Sequence, residues 1–346
     1  MRDLRDRAAW LPISKQKPIP PYTLDPTLTF YCPQENVEAL DHPDVRAFHA
    51  HLRSEYAPPS VTGRLVALLL PCTKAKPYSL SKEHLEINRF LLGRGFRPIG
   101  EPDYPEALLA ALPADYPGEL LHNGLLRRGD LFVHRIVISE PMGLVPYEYI
   151  YHWHGRLSIS ARYDDPGLFE QRGTAVGLWR PDNTAVEIGE GKYRWGPNER
   201  AAYAEVHNRL SDLIAGLLTK FKPSYQRFVG YVSPKLTHRS FLTDRFEKRA
   251  NGIPVSKRVS GGSVALIGVN DRQPGLVQVV PSPEEFDRIR SALARRLSAD
   301  RRMTPARVRA VFASGGGGAT PLILPEALAV LEEHLSGKEV TRPQTH

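Results

Sequence analysis

Apolar positions along this chain follow two distinct periods. Residues 64–70 form a continuous rather than alternating stretch, apolar from Leu65 to Leu70, and residues 131–138 a second core run, the pattern of parallel strands covered on both faces. Elsewhere apolar residues recur every three to four positions. Val45, Phe48 and Leu52 line one helix face behind a start at Asp41, His42 and Pro43. A second helix, capped by Ser81, runs through His84, Leu85, Ile87, Phe90 and Leu91 and stops at Gly93 and Gly95. The longest stripe is Val206, Leu210, Leu213, Ile214, Leu217, Leu218 and Phe221, which predicts a helix capped by Asn198. Further strands are predicted at 174–179, 225–232, 264–269 and 276–280, with a hairpin turn around Gly189 and Gly191. Ser282, Pro283 and Glu285 form a capping-box helix start, and a last helix is predicted near 325–335 after a glycine break at 315–318.

Strand and helix alternate, so the predicted class is α/β: a Rossmann-like, parallel-type sheet flanked by helices, in a core of residues 63–249. Residues 1–62 read as a proline-rich arm with one short helix. Residues 250–346 read as a smaller, basic α+β extension.

Composition adds a partner to this picture. The 346 residues are 41% hydrophobic, enough for a sizeable core, and carry a net charge of +8. A basic excess favours a polyanion, because each neutralised phosphate releases counterions. Arg288, Arg295, Arg296, Arg301 and Arg302 are the candidates for phosphate contact, against the bland reading of a solvated helix face. No apolar run reaches the length of a membrane span, and the N-terminus has no apolar signal region. Two cysteines cannot build a disulfide framework. The expectation is a cytoplasmic protein with Cys72 as a free thiol and no membrane partner.

The chemistry concentrates in residues 71–84. Cys72 stands at the carboxyl end of the first core strand, where the ligand crevices of α/β sheets lie. Lys74 and Lys76 would favour the thiolate, Tyr78, Ser79 and Ser81 add hydroxyls, and His84 could serve as acid, base or orienting group. These are the parts of an activated nucleophile; the bland reading is a buried, inert cysteine beside a core histidine. In the loop after the second core strand, Glu140 and Glu148 flank Gly143, so a carboxylate there could read a guanine-like base while the glycine admits close approach. His152 and His154 suggest a metal pair but lack a third ligand in sequence, so aromatic strand packing is the better reading and no metal is expected.

Pro71, Cys72, Lys76, Pro77, Tyr78, Ser81 and His84 together resemble the signature of the archaeosine synthase family, with no gap or substitution. Weaker likenesses follow in the same order: His42-Pro43, Pro58-Pro59, the loop from Ser139 to Glu148, and Tyr163-Asp164. The resemblance covers roughly residues 40 to 240. It implies a fold related to uracil-DNA glycosylases and a reaction at the nitrile of a 7-cyano-7-deazaguanine base in tRNA, to which that family adds lysine. No cofactor is expected. Members of the family also carry a transglycosylase-like portion and a tRNA-binding domain, for which this chain has no room. The same base occurs in bacterial and phage DNA, where its nitrile is hydrated to an amide. The expectation is therefore a stand-alone relative acting on DNA or tRNA through a Cys72 thioimidate, with Lys76 and His84 as catalytic partners and water, ammonia or lysine as co-substrate. Tyr78, Ser79, Ser81, Glu140, Gly143, Glu148 and Asp164 would hold the base. The alternative is a non-catalytic module of the same fold that binds modified nucleic acid.

Overall fold

The computed structural model describes residues 7–166, 175–189, 191–234, 237–298, 304–315 and 320–337. Its centre is a seven-stranded sheet made of β1 (Arg64–Pro71), β2 (Arg97–Pro98), β3 (Leu126–Arg128), β4 (Leu131–Ser139), β5 (Gly143–Pro146), β6 (Arg227–Tyr231) and β7 (Val277–Val280). The order is β7-β6-β1-β4-β3-β2. The four strands from β7 to β4 are parallel. β3 pairs antiparallel with the first half of β4, and β5 with its second half. The fold is thus mixed α/β with a mainly parallel sheet.

β1 and β4 are buried almost end to end, which is why their sequences are continuous rather than alternating. Helices cover both strands. In α1 (Pro43–Ser54), Val45, Phe48 and Leu52 are fully buried, and the His42 ring accepts from the Asp44 backbone to cap the helix. α2 (Lys82–Gly93) starts where Ser81 Oγ accepts from the His84 backbone, as its sequence predicts. α3 (Pro197–Phe221) buries the long apolar stripe.

Five expectations are corrected. The α3 cap is Gly196, not Asn198: the Gly196 amide donates to Glu199 Oε2, and a Cβ at 196 would stand 1.8 Å from the Thr184 carbonyl oxygen. Asn198 lies in the first turn and donates to the Asp182 carbonyl. Residues 175–179 form no strand; the Ala175 carbonyl accepts from the Trp195 indole instead, and Thr174 lies outside the described residues. The expected loop at 139–146 contains β5. The predicted strand at 264–269 stops at Ala265, in a hairpin of Ser256–Val259 with Gly262–Ala265, and Val269–Arg272 is a helical turn capped through Asp271. The segment from 276 does not stay apart from the core: β7 enters the central sheet beside β6.

Three helices follow β7 among the described residues, the middle one Pro305–Ser314. α5, as α4 (Thr237–Leu242) lies before it, is Pro283–Leu297, with the predicted Ser282 and Glu285 capping box; α6 is Pro325–Ser336. Before α6, Thr320 donates its hydroxyl to Glu83 at the start of α2. Glu83 is otherwise buried, and burial pushes its carboxyl up from an ordinary 4.5 to about 7.

Two predictions follow from this packing. Gly143 sits at φ +74°, and a Cβ there would stand 2.7 Å from Leu213 on α3. Gly143→Ala should destabilise the fold by about 1–3 kcal/mol in chemical denaturation, and an unchanged midpoint would remove the packing role. Glu83 binds its proton more tightly folded than unfolded, so its contribution lowers stability as pH rises from about 4.5 to about 7 and is flat above. Glu83→Gln should flatten that slope and stabilise the protein at pH 8 by about 1–3 kcal/mol, while the same pH profile in the variant would refute it.

Candidate active site

Parallel pairing aligns three strand ends. Leu69 of β1 stands level with Gly230 of β6 and Ile136 of β4, and the Cys72 amide donates to the Ile138 carbonyl at 2.9 Å. Cys72 stands one residue past the end of β1 and Glu140 one past the end of β4, and His238 lies on α4 (Thr237–Leu242), the helix that follows β6. His238 Nε2 lies 3.4 Å from Cys72 Sγ and 3.6 Å from Glu140 Oε2, and the sulfur lies 3.9 Å from that same oxygen. His238 and Glu140 are fully buried, and Cys72 keeps 8% exposure.

Burial decides the protonation of this cluster. It raises the Cys72 thiol well above its ordinary value, although the Lys76 charge works against it. It raises the Glu140 carboxyl as well, and the nearby Asp165 adds to that effect. It lowers His238 to about 3, helped by Lys76. Thiol, carboxylic acid and neutral imidazole therefore meet with ligand-capable atoms close together.

Lys76 is buried beside them. Its ammonium donates to the Thr73 carbonyl at 2.6 Å and lies 4.6 and 4.2 Å from the ring centres of Tyr78 and Tyr163. The Tyr78, Tyr163 and Ser139 hydroxyls close a triangle of 2.9, 3.0 and 2.7 Å contacts. Ser79 Oγ accepts from the Tyr151 hydroxyl at 2.7 Å, and Ser81 is occupied as the cap of α2.

Other expected residues lie apart from the sulfur. Both ring nitrogens of His84 are engaged: burial lowers it to about 4, so the neutral ring donates from Nε2 to the Pro71 carbonyl and accepts at Nδ1 from Tyr147. His84 holds the backbone in front of Cys72 and has no nitrogen left to move a proton. Glu148 contacts His134 and Tyr56, each at 2.8 Å. Burial opposes its ionisation, but His134 and the hydrogen bonds outweigh that and hold the carboxyl below its usual range. His134 pairs with Ala67, five residues before Cys72 and so roughly 16 Å down the strand. Gly143 packs against Leu213 rather than opening toward a base. Asp164 accepts from Lys17 at 2.8 Å and pairs through its backbone with Phe30.

The expected phosphate contacts also divide. Arg288 pairs with Glu333, and Arg296 with Glu326, so both tie α5 to α6. Arg295 is exposed on α5, and Arg301 and Arg302 lie outside the described residues. His152 bonds Asp103, while His154 packs its ring on His51 and Trp153. His51, Glu55 and His154 also come together, yet both His51 nitrogens are already engaged, by Glu55 and Tyr149.

The sequence reading missed His238 and the part played by Tyr163. The signal for His238 was present: it follows the predicted strand 225–232, and the strand-end rule applied there as well as after β1 points to it.

Among the described residues, no helix is long and apolar enough to cross a membrane. No protein-family model matches the chain, and no solved structure matches it. Two curated relatives do, both named archaeosine synthase subunit alpha. The protein from Thermoplasma acidophilum is 26% identical over 157 residues, 45% of this chain and 21% of that protein. The protein from Methanosarcina acetivorans is 30% identical over 111 residues, 32% of this chain and 12% of that protein. The chain thus spans about a fifth or less of the length of these relatives, and its likeness to them is to a part of an archaeosine synthase subunit.

Proposed function

We propose that this protein is a nucleic-acid modification enzyme that converts the nitrile of a 7-cyano-7-deazaguanine base in DNA or tRNA. The observation that carries the reading is the convergence of Cys72, His238 and Glu140 on one point beside Lys76. The likeness to archaeosine synthase subunits supports the substrate class.

In this mechanism Cys72 Sγ adds to the nitrile carbon and His238 Nε2 takes the thiol proton. The nitrile nitrogen takes a proton from Glu140, giving a thioimidate. Water, ammonia or lysine then adds to the same carbon and gives up a proton to Glu140, and the sulfur leaves and regains its proton from His238. Water gives the amide and an amine gives an amidine. Lys76 offsets part of the burial penalty on the thiolate and carboxylate. His84 positions Pro71, and with it Cys72. An open groove of about 630 Å³ between α1 and α3 carries Arg46, Arg53 and Arg209, and its floor residue His49 bonds the Pro141 carbonyl next to Glu140. Arg209 is paired with Asp41 there, so Arg46 and Arg53 are the groups in this groove that would meet a phosphate backbone.

One observation favours a second reading. A thiol raised by burial suits a module that only binds the base. Intact mass spectrometry of a cyano-deazaguanine oligonucleotide, as DNA and as tRNA, distinguishes the two. The enzyme should add the mass of water, ammonia or lysine; Cys72→Ala should abolish this, and His238→Ala should slow it by about 100-fold or more. Tight binding with no mass change would select the binding module, and a fully active Cys72→Ala protein would end the thioimidate mechanism.

A further inference from the structure

The arrangement of Cys72, His238 and Glu140 differs from a proton-relay triad in one respect. In a relay the carboxylate holds one imidazole nitrogen while the nucleophile faces the other. Here the sulfur and the Glu140 Oε2 both face the same nitrogen, His238 Nε2, at 3.4 and 3.6 Å, and lie 3.9 Å from each other. Three donor atoms on one small triangle form the face of a coordination site. With metal–ligand bonds of about 2.3 Å to sulfur and 2.0–2.2 Å to nitrogen and oxygen, a tetrahedral zinc ion sets its ligand atoms roughly 3.3–3.7 Å apart. Two of the three observed edges fall in that range and the third exceeds it by about 0.2 Å.

The surroundings agree with this geometry. All three residues are buried, and Glu140 Oε1 has no hydrogen-bond partner among the described residues. The thiol and the carboxylic acid each lose a proton on binding a divalent ion, whose charge then balances both beside the Lys76 ammonium. Thiolate with imidazole and carboxylate suits zinc rather than magnesium or calcium, whose ligands are oxygens. Cys72 and Glu140 stand one residue past the ends of the paired strands β1 and β4, so the sheet sets their spacing, and the helix α4 brings His238 to them.

We propose that Cys72, Glu140 and His238 bind a zinc-class divalent cation, with a fourth position open to solvent or substrate. The proposal goes beyond the function given above and does not depend on it. Its bearing on that reaction is direct, because the cation and the nitrile carbon compete for the same sulfur. The loaded protein is the masked form.

The test uses the full chain, stripped by a chelator and titrated with Co²⁺ and then Zn²⁺. One equivalent of Co²⁺ should produce a thiolate-to-cobalt charge-transfer band that Zn²⁺ abolishes. Cys72→Ser should lose the band, and Glu140→Gln, which keeps the side-chain shape, should weaken binding beyond the roughly 10–100-fold cost of losing an outer-shell partner. His152→Ala, on the protein surface, should bind as the parent does. Absence of the band and of stoichiometric zinc overturns the site and leaves the proposed function standing. Turnover of the cyano-deazaguanine oligonucleotide should fall on loading with zinc and return with the chelator. A protein active only when loaded keeps the site but overturns masking and the thioimidate step. Zinc binding without turnover in either form keeps the site and overturns the proposed function.

Discussion

Parallel hydrogen bonding among β6, β1 and β4 is the constraint on which the candidate site depends. The register places Leu69 level with Gly230 and Ile136, and the bond from the Cys72 amide to the Ile138 carbonyl carries the alignment past the end of β1. Parallel strands all point their carboxyl ends the same way, so whatever follows them gathers at one edge. A slip of one residue in β1 would turn Cys72 away from Glu140 and His238, because side chains alternate across a strand. The site therefore inherits its precision from the backbone of the sheet.

Desolvation is the second organising effect. It keeps Cys72 and Glu140 protonated and His238 neutral, and Lys76 is the charge that opposes it for the thiol and the carboxyl. Lys76 is itself held in place by the Thr73 carbonyl and by the faces of Tyr78 and Tyr163. The tyrosine hydroxyls and Ser139 satisfy one another. Polar groups that would be costly alone become a rigid support when each has a partner.

The proline-rich arm has a part in this support. The Ile19 amide donates to the Lys76 carbonyl, Lys17 pairs with Asp164, and Phe30 and Asp164 bond through their backbones. The Tyr22 hydroxyl donates to the Tyr151 carbonyl, and the Tyr151 hydroxyl reaches Ser79. The arm thus joins the loop that follows Cys72 to the segment carrying Tyr163. Its marked period is that of Val45, Phe48 and Leu52, so pattern shows an arm with one short helix, while the helices Arg7–Ser14 and Pro33–Ala39 and the arm's contacts appear only in the fold.

Local chemistry determined much of this protein. Continuous apolar runs marked β1 and β4, the three-to-four spacing marked α1, α2 and α3, and Ser81 and Ser282 marked helix starts, since each of these signals acts through neighbours in sequence. Cys72, Lys76 and His84 read as the reactive group, with Tyr78 and Glu140 among the residues to hold a base, because strand ends and polar loops announce themselves. Tertiary structure decided what these residues face. It brought His238 to the sulfur from 166 positions away, turned His84 toward Pro71, and placed Glu148 with His134 rather than with Glu140. It also spent Gly143 on packing against Leu213 and tied Arg288 and Arg296 to α6. The physical reason is one of range: propensity and capping are local, whereas strand order, burial and ion pairing depend on residues that only the folded chain brings together.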